Sequence, residues 1–210
     1  MRVLSGITGQ RLSFHPGPFN CLASPNDDVV RKTVAELNAH SLQMDLMGLP
    51  TSPRAKINIH VGGAYGEHDK ALTRFCKAVE RLDATAQLRL TVENDDKDSM
   101  FSTKMLVEGV SNVTGVPVVF DSHHHELGPQ DATYQEAFYL ARETWANRGV
   151  KQQCHHSNSK KHYENDAVKV QAHSDWYYTP FENFGEDVDV VLECKKKELA
   201  LFKYRQDFAN

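Results

Sequence analysis

The chain has 210 residues, a length that one α/β domain can occupy. Hydrophobic residues make up 40% of it and charged residues 25%, which is close to average globular composition and excludes disordered, collagen-like and low-complexity proteins. The 24 Lys and Arg residues against 28 Asp and Glu residues give a formal charge of -4, which argues against a nucleic-acid binder that relies on a basic surface. We expect a single domain spanning residues 1–210.

The sequence lacks the signals of a membrane or secreted protein. No stretch approaches the roughly 18 apolar residues that a membrane span needs, and no signal-peptide core follows Met1. The four cysteines are scattered without a CxxC pair, which indicates reduced thiols. We therefore expect a soluble intracellular protein of the cytoplasm or nucleoid, or a viral product in a host cell, with no obligate protein partner.

The first predicted unit is a short strand followed by a helix. Residues 11–15 alternate polar and apolar side chains and stop at Pro16, as a strand would. The helix is expected to be capped by Ser24, to carry Pro25 in its first turn, and to end before Gly48.

The same strand and helix pattern then recurs along the chain. Five further strands are predicted, at residues 56–60, 88–93, 116–121, 151–155 and 188–193. Helices are predicted around Leu72 and Phe75 and around Tyr134 and Phe138. One more helix is predicted after the sixth strand. Alternation of strands and helices predicts parallel strands joined by right-handed crossovers.

One face of every predicted strand is apolar and the other is mostly polar. In the third strand, for example, Arg89, Thr91 and Glu93 share the polar face. A doubly wound sheet buries both faces of its strands, so this pattern favours a TIM-type (β/α) barrel with a polar lumen. A complete barrel has eight units. We count six and predict an incomplete barrel that lacks its N-terminal units.

Histidine is over-represented, at 11 residues, and metal-capable side chains recur where the predicted strands end. Six of them end the strands in the polar register: His15, His60, Glu93, Asp121, His155 and Glu193. His124 and His173 lie just beyond strands, whereas His123 and His125 are expected to be neighbours of the site or to face solvent. A single His, Asp or Glu at the end of a strand is more often solvated than a metal ligand. Parallel strands, however, would bring the side chains at all six strand ends together at the C-terminal mouth of the barrel.

Imidazole and carboxylate ligands without thiolate favour Zn²⁺, Mn²⁺ or Fe²⁺ over Cu(I) or iron–sulfur centres. Eight ligands exceed the needs of one ion, so two or three divalent ions are expected. Clustered divalent ions suit phosphodiester hydrolysis, because they activate water and neutralise the attacked phosphate. Their charge would also make the mouth electropositive in a nominally acidic protein.

At these residues the sequence resembles the UV damage endonuclease (UvdE) family, relatives of endonuclease IV, over roughly residues 11–208. The resemblance is carried by RLSFHPGPFN (11–20), NIHVGGAYG (58–66), LTVENDD (90–96), VFDSHHH (119–125), HSDWY (173–177) and LECKKKELAL (192–201). It implies a metal-dependent DNA repair endonuclease that nicks damaged double-stranded DNA 5′ of ultraviolet photoproducts and other lesions. The implied metal ligands are the same eight residues, and the candidate catalytic carboxylates are Glu93, Asp121 and Glu193. Mn²⁺ is the first candidate metal, with Zn²⁺ and Mg²⁺ as alternatives.

The chain departs from the family pattern at two places. Family members commonly carry Gln and an aromatic residue after the HP motif, whereas here Pro18 and Phe19 stand there, and with Asn20 they are the expected substrate-binding residues. The family also commonly has a Lys where this chain has Gln153, with Lys151 one lumen-facing position earlier. An apolar Phe19 can still wedge between bases.

Two other functions stay open at this point. Relatives of the same barrel include sugar isomerases, and a fold does not fix a function. A short barrel could also bind damaged DNA or metal without cutting. Incision of damaged DNA would favour the endonuclease, and turnover of an aldose without DNA cleavage would favour the isomerase. A metal content near zero after purification would favour the binding module.

Overall fold

The computed structural model describes residues 8–208, and its centre is a parallel sheet of five strands in sequence order. The strands are β1 (Ile57–Ile59), β2 (Leu90–Glu93), β3 (Val118–Asp121), β4 (Gln153–His156) and β5 (Asp189–Leu192). Each strand pairs in parallel with the next. A sixth segment joins the edge through a parallel bridge between Phe14 and Ile57.

Helices connect the strands on the outside of the sheet. They are α1 (Asp27–Leu46), α2 (His68–Val79), α3 (Ala84–Arg89), α4 (Thr103–Leu106), α5 (Asn112–Thr114), α6 (Ser122–Leu127), α7 (Tyr134–Glu143), α8 (Lys160–Tyr163) and α9 (Lys197–Phe208), with a 3₁₀ turn at Pro53–Ala55 and a π-helical turn at Val107–Ser111. Within residues 8–208, no helix combines the length and the apolar character that crossing a membrane would require.

The apolar face of the strands forms the core with the helices. Ile57, Val92 and Phe120 are fully or almost fully buried there, and Phe75 of α2 and Phe138 of α7 belong to the same cluster. Burying these side chains is the main favourable contribution to folding. The other face of the sheet is left for polar groups, as the alternation predicts.

The sheet is curled, since its first and last segments come into contact at the N-terminal ends of the strands. We call this end of the barrel the floor. Arg11, just before the bridged segment, places its guanidinium 2.8 Å from the carboxylate of Asp189 at the start of β5. The same guanidinium donates to the carbonyl oxygen of Lys151 and lies 5.6 Å from the ring centroid of Trp145. The described residues therefore form an incomplete TIM-type barrel, as predicted.

The third strand begins later than predicted, and this changes the position of one side chain. Leu88 and Arg89 belong to α3, so Arg89 does not enter the lumen. Its buried guanidinium donates to Ser41 and, at 2.7 Å, to Asp45, both near the end of α1. Helix ends expose unpaired carbonyl groups, and the guanidinium of Arg89 also donates to Leu49, Pro50 and Thr51 in the segment just after α1.

Two further predictions needed correction, and one helical segment was missed. The first strand is reduced to the single bridge at Phe14. The cap of α1 is Asn26, whose side chain accepts from the amide of Asp28, while Ser24 accepts from Asn26 itself. The helical segment 103–114 was not predicted, because its π-helical turn interrupts the 3.6-residue spacing on which the prediction depends.

Candidate metal centre

The structure brings the eight predicted metal-ligating residues together at the C-terminal mouth of the barrel. Glu93 and Asp121 end β2 and β3, His155 lies near the end of β4, and the others directly follow strands or lie on the connecting segments. His173 is placed by an antiparallel bridge to Ser159 in the segment after β4. Parallel order alone therefore accounts for most of the clustering.

Glu93 is the hub of the cluster, and its carboxylate is completely buried. Its oxygens lie 3.4 Å from Nε2 of His15, 3.3 Å from Nδ1 of His124 and 3.2 Å from Nδ1 of His155. The side-chain amide of Asn58 also donates to it. Burial alone would raise the pKa of Glu93, but the surrounding imidazoles of His155, His124 and His15 lower it well below its usual range.

Two groups of three ligand atoms share Glu93. One consists of His15, His60 and Glu93, and the other of Glu93, Asp121 and His155; within each group the ligand atoms lie within 4.8 Å of one another. Each group could hold a metal ion. One carboxylate reaching two such groups is the arrangement expected of a bridging ligand.

Glu193 and His173 extend the cluster on the side of β5. An oxygen of Glu193 lies 3.1 Å from Nδ1 of His155, and its other oxygen lies 4.0 Å from Nδ1 of His173. Burial alone would raise the pKa of Glu193, but the neighbouring imidazole of His155 lowers it. The cluster is thus continuous from His15 to His173.

Asp121 is held rigidly by the helix that follows it. It caps α6, and its Oδ1 accepts from the amides of His123 at 2.8 Å and His124 at 2.9 Å. Asn94 accepts from the Asp121 amide and donates to its carbonyl oxygen. The second carboxylate oxygen, Oδ2, is left for the cluster.

Several buried ligand atoms have no hydrogen-bond partner within residues 8–208. They include Glu93 Oε1, Asp121 Oδ2 and Nδ1 of His155. Burying such atoms without a partner is costly, and few are tolerated in native proteins. Divalent cations at the two groups would satisfy them. The donor set, imidazole nitrogen with carboxylate oxygen, fits Mn²⁺, Zn²⁺ or Fe²⁺.

Two imidazoles of the cluster, those of His155 and His124, hold their protons more tightly than usual when only protein groups surround them. Burial lowers the pKa of His155, but Glu93 and Glu193 raise it more, to about 9. Burial acts in the same way on His124, and Asp121 and Glu93 raise its pKa well above the usual range. Protons on these rings therefore compete with metal ions for the same atoms.

Two residues of the site were missed in the sequence. An oxygen of Asp95 lies 3.2 Å from Nδ1 of His60, and the amino group of Lys56 lies 3.2 Å from Nε2 of His155. Metal-ligating imidazoles are commonly oriented by such contacts on the second ring nitrogen. Lys56 could have been found, since it shares the polar face of its strand with Asn58. Asp95 lies beyond its strand, where alternation no longer applies.

Lys151, which the alternation assigns to a lumen-facing position, does not reach the cluster. Lys151 is exposed and lies 2.6 Å from the carboxylate of Asp187 at the floor. Gln153 is buried, and its Oε1 has no hydrogen-bond partner among the described residues. Lys56 is the lysine that reaches the ligands.

His123 and His125 do not face solvent, contrary to one of the two alternatives considered for them. His123 is 1% exposed, and its ring centroid lies 5.2 Å from that of His173. His125 packs among the aromatic rings of Phe120 and Tyr134 in the core.

Gly128, which follows α6, allows close contact with the loop that carries Asp95. A Cβ atom at this position would clash with the carbonyl oxygen of Asp95 and would lie 3.0 Å from that of His124. Both neighbours are backbone atoms, which cannot swing aside as a side chain can. Only glycine fits here without moving the backbone.

The three expected substrate-binding residues lie on the loop after Phe14. Phe19 is 91% exposed, whereas Asn20 is buried and its amide donates to Glu36 of α1 at 2.9 Å. A cavity of about 610 Å³ is lined by Pro18, Asn20 and Lys97 together with the cluster residues His15 and His60. Asn20 thus fixes the loop, and Phe19 projects from it.

Comparison with known proteins gives consistent matches over the chain. A family model described as UV-endonuclease UvdE matches residues 4–210. The UV DNA damage endonuclease of Bacillus pumilus (strain SAFR-032) is 32% identical over 210 residues, covering 96% of this chain and 62% of that relative. The crystal structure of SacUVDE superposes with a TM-score of 0.81 at 30% identity, covering 98% of this chain and 68% of that one.

A more distant solved structure shows likeness of fold. Endonuclease IV from Thermus thermophilus has a TM-score of 0.64 at 16% identity, covering 98% of this chain and 77% of that one. The chain spans 62% of the length of the curated relatives it matches first. With a family model matched over nearly its whole length, the chain belongs to the UV-endonuclease UvdE family.

Proposed function

We propose that this chain is a metal-dependent DNA repair endonuclease that cuts the backbone of damaged double-stranded DNA 5′ of ultraviolet photoproducts and other lesions. The observation that carries the proposal is the buried Glu93 carboxylate, shared by two groups of ligand atoms at the mouth of the barrel. Family membership supports the same activity. The chain acts as one domain and without an obligate protein partner.

The residues present fit two divalent ions. His15, His60 and Glu93 would hold one, and Glu93, Asp121 and His155 the other, with His124, His173 and Glu193 completing the surroundings. When bound, the ions would activate water and neutralise charge on the attacked phosphate and the leaving oxygen. Mn²⁺ is the proposed metal, and Zn²⁺ and Mg²⁺ are the alternatives.

The chain's own carboxylates supply the negative charge that makes such a site possible. Glu93 is kept ionised by its imidazole neighbours, and Asp121 is fixed by two backbone amides, so neither needs to reorganise. Glu193 lies at the partly exposed edge, where a phosphate can approach. Rigid placement of charge is a large part of catalysis in sites of this kind.

The loop carrying Phe19 supplies contact with the DNA. An exposed apolar ring can insert between base steps and kink the duplex, and weakly stacked, damaged steps cost least to open. Pro18 offers no side-chain hydrogen bond to a base. Recognition would therefore depend on how easily the lesion unstacks, which allows several kinds of lesion.

The test is incision of an end-labelled duplex that carries one cyclobutane pyrimidine dimer. Protein stripped with chelator and reloaded with Mn²⁺, Zn²⁺ or Mg²⁺ is expected to cut 5′ of the dimer and to leave the undamaged duplex intact. Glu93→Gln should abolish cutting, and Glu108→Gln, at an exposed position, should not. A duplex left intact by metal-loaded protein under every metal would refute the proposal. Duplex binding without cutting would then indicate a binding module.

A further inference from the structure

A pair of exposed tyrosines lies at the same mouth as the metal-ligand cluster, on the segment between β4 and β5. The rings of Tyr163 and Tyr178 stack with centroids 4.7 Å apart and an interplanar angle of 5°. They are 45% and 38% exposed. Two large parallel rings in contact with water provide a flat aromatic surface, which the proposed metal chemistry does not use.

This surface is built rigidly. The hydroxyl of Tyr178 donates to Glu164 at 3.0 Å, and the amide of Tyr178 donates to the side chain of Asn158 at 2.9 Å. Glu164 also accepts from the amides of Asp175 and Trp176. The platform is thus fixed before any ligand arrives, which lowers the entropy cost of binding.

Two exposed lysines lie on the segment after β5, and, with the hydrogen bond from Lys160, their charges help to lower the pKa of Asp175, on the segment that carries Tyr178. Lys195 and Lys196 are exposed and form no ion pair with another residue of the range 8–208, whereas Lys160 is paired with Asp175 at 2.7 Å. Their backbone amides donate to the carbonyl oxygens of Ser174 and Asp175. They therefore belong to the same rigid unit as Tyr178, and they lie two and three positions after the cluster residue Glu193.

We propose that Tyr163, Tyr178, Lys195 and Lys196 form a binding surface for one strand of the DNA. The lysines contact phosphates next to the metal centre, and the tyrosine platform stacks on a base that is unpaired from its partner. Flat aromatic rings flanked by cations are the features that bind single-stranded nucleic acid without sequence preference. The inference rests on the proposed function and adds a second contact to that of Phe19.

The first test concerns the lysines and uses the metal-loaded protein with a labelled duplex that contains four central unpaired thymines. The double variant Lys195→Gln, Lys196→Gln should reduce the slope of log affinity against log salt by about 1.4 to 1.8, the contribution of two phosphate contacts. The matched control is Lys32→Gln, Lys77→Gln, which removes the same charge from exposed positions on α1 and α2. Equal slopes for both double variants would overturn the proposal.

The second test concerns the platform. Tyr163→Ala should weaken binding of the same probe about tenfold, a typical loss for one stacked base, and Tyr163→Phe should bind like the original protein. A fully paired duplex should be affected less than the probe. Equal weakening for both, accompanied by a lower melting temperature, would show that the stack is only structural.

The two proposals fail in distinguishable ways. If the unaltered protein cuts the dimer-containing duplex but the Lys195→Gln, Lys196→Gln double variant and Tyr163→Ala bind like their controls, only this inference is wrong. If the unaltered protein neither binds nor cuts any DNA while holding its metal, both proposals are wrong.

Discussion

The amino group of Lys56 lies 3.2 Å from Nε2 of His155, and both side chains are almost completely buried. Nδ1 of the same ring faces Glu93 and Glu193. Burial lowers the pKa of Lys56 to about 8, so the amine can lose its charge at mildly alkaline pH. The contact sets the orientation of the ring, because it fixes one nitrogen while the other points into the cluster.

Replacing Lys56 should therefore weaken metal binding. Lys56→Met keeps the length and burial of the side chain but removes the contact with His155, and we expect about a 10- to 100-fold loss of Mn²⁺ affinity at pH 8.5. Isothermal titration calorimetry of chelator-stripped protein measures it. Lys151→Met, on the exposed floor, is the control and should bind normally. Unchanged affinity for Lys56→Met would show that the lysine does not position the ring.

The stability of the metal-free protein should depend on pH in a definite direction. The pKa of His155 is raised to about 9 and that of His124 is raised well above normal, so these groups stabilise the fold below pH 6.5 and lose that contribution as pH rises. Burial lowers the pKa of His123 and His173, so their effect is confined to pH below 6.5.

We therefore expect the free energy of unfolding in chelator to fall by on the order of 1 to 2 kcal/mol between pH 6.5 and 8. Lys56, with its lowered pKa, opposes the trend only above about pH 8. Urea denaturation at half-unit pH intervals measures it. Protein saturated with Mn²⁺ should show the opposite slope, since metal binding improves as the rings lose protons. A flat profile in chelator would contradict the ion pairs around Glu93.

Replacing Glu93 should remove more bound metal ions than replacing Glu193. Glu93 belongs to both ligand groups, whereas Glu193 belongs to neither of them and lies next to His155 and His173. Glu93→Gln should leave almost no bound metal, and Glu193→Gln should retain at least one ion per chain. Elemental analysis after gel filtration gives the counts. Equal losses in the two variants would argue against a shared Glu93.

The floor contact between Arg11 and Asp189 should contribute measurably to stability. Arg11→Met removes an ion pair and the donors to Lys151 and Pro53, and we expect a loss of about 2 kcal/mol. Arg31→Met removes the exposed pair with Asp28 and should change stability by less than about 0.5 kcal/mol. Similar denaturation midpoints for both variants would show that the floor pair is as weak as a surface pair.

The position of the strand ends and of the core residues could be predicted from the sequence. Alternation of polar and apolar residues identifies each strand, and parallel pairing then determines which strand ends lie together. Glu93, Asp121 and His155 end three strands, and parallel pairing brings such ends together whatever the connections do. The same alternation placed Ile57 and Phe120 in the core.

The sequence was insufficient where a side chain's partner lies far away along the chain. Arg89 was expected in the lumen, yet it donates to residues of α1 that lie 48 and 44 positions earlier, which alternation cannot reveal. Lys56 and His155 are 99 positions apart, so their contact depends on the curvature of the sheet rather than on either strand. The segment 103–114 was missed because its π-helical turn departs from the 3.6-residue period of an α-helix.

Because Gly128 packs closely against the backbone at Asp95, a substitution at Gly128 would affect the metal-ligand cluster from a distance. Any larger residue there would displace the loop backbone at Asp95, and the displacement would pass to His60 through the oxygen that faces its ring. A substitution at a position with no ligand atom of its own would thus have the phenotype of a damaged metal ligand. In a survey of inactive variants, such a change would be mistaken for a folding defect unless metal content were measured alongside stability.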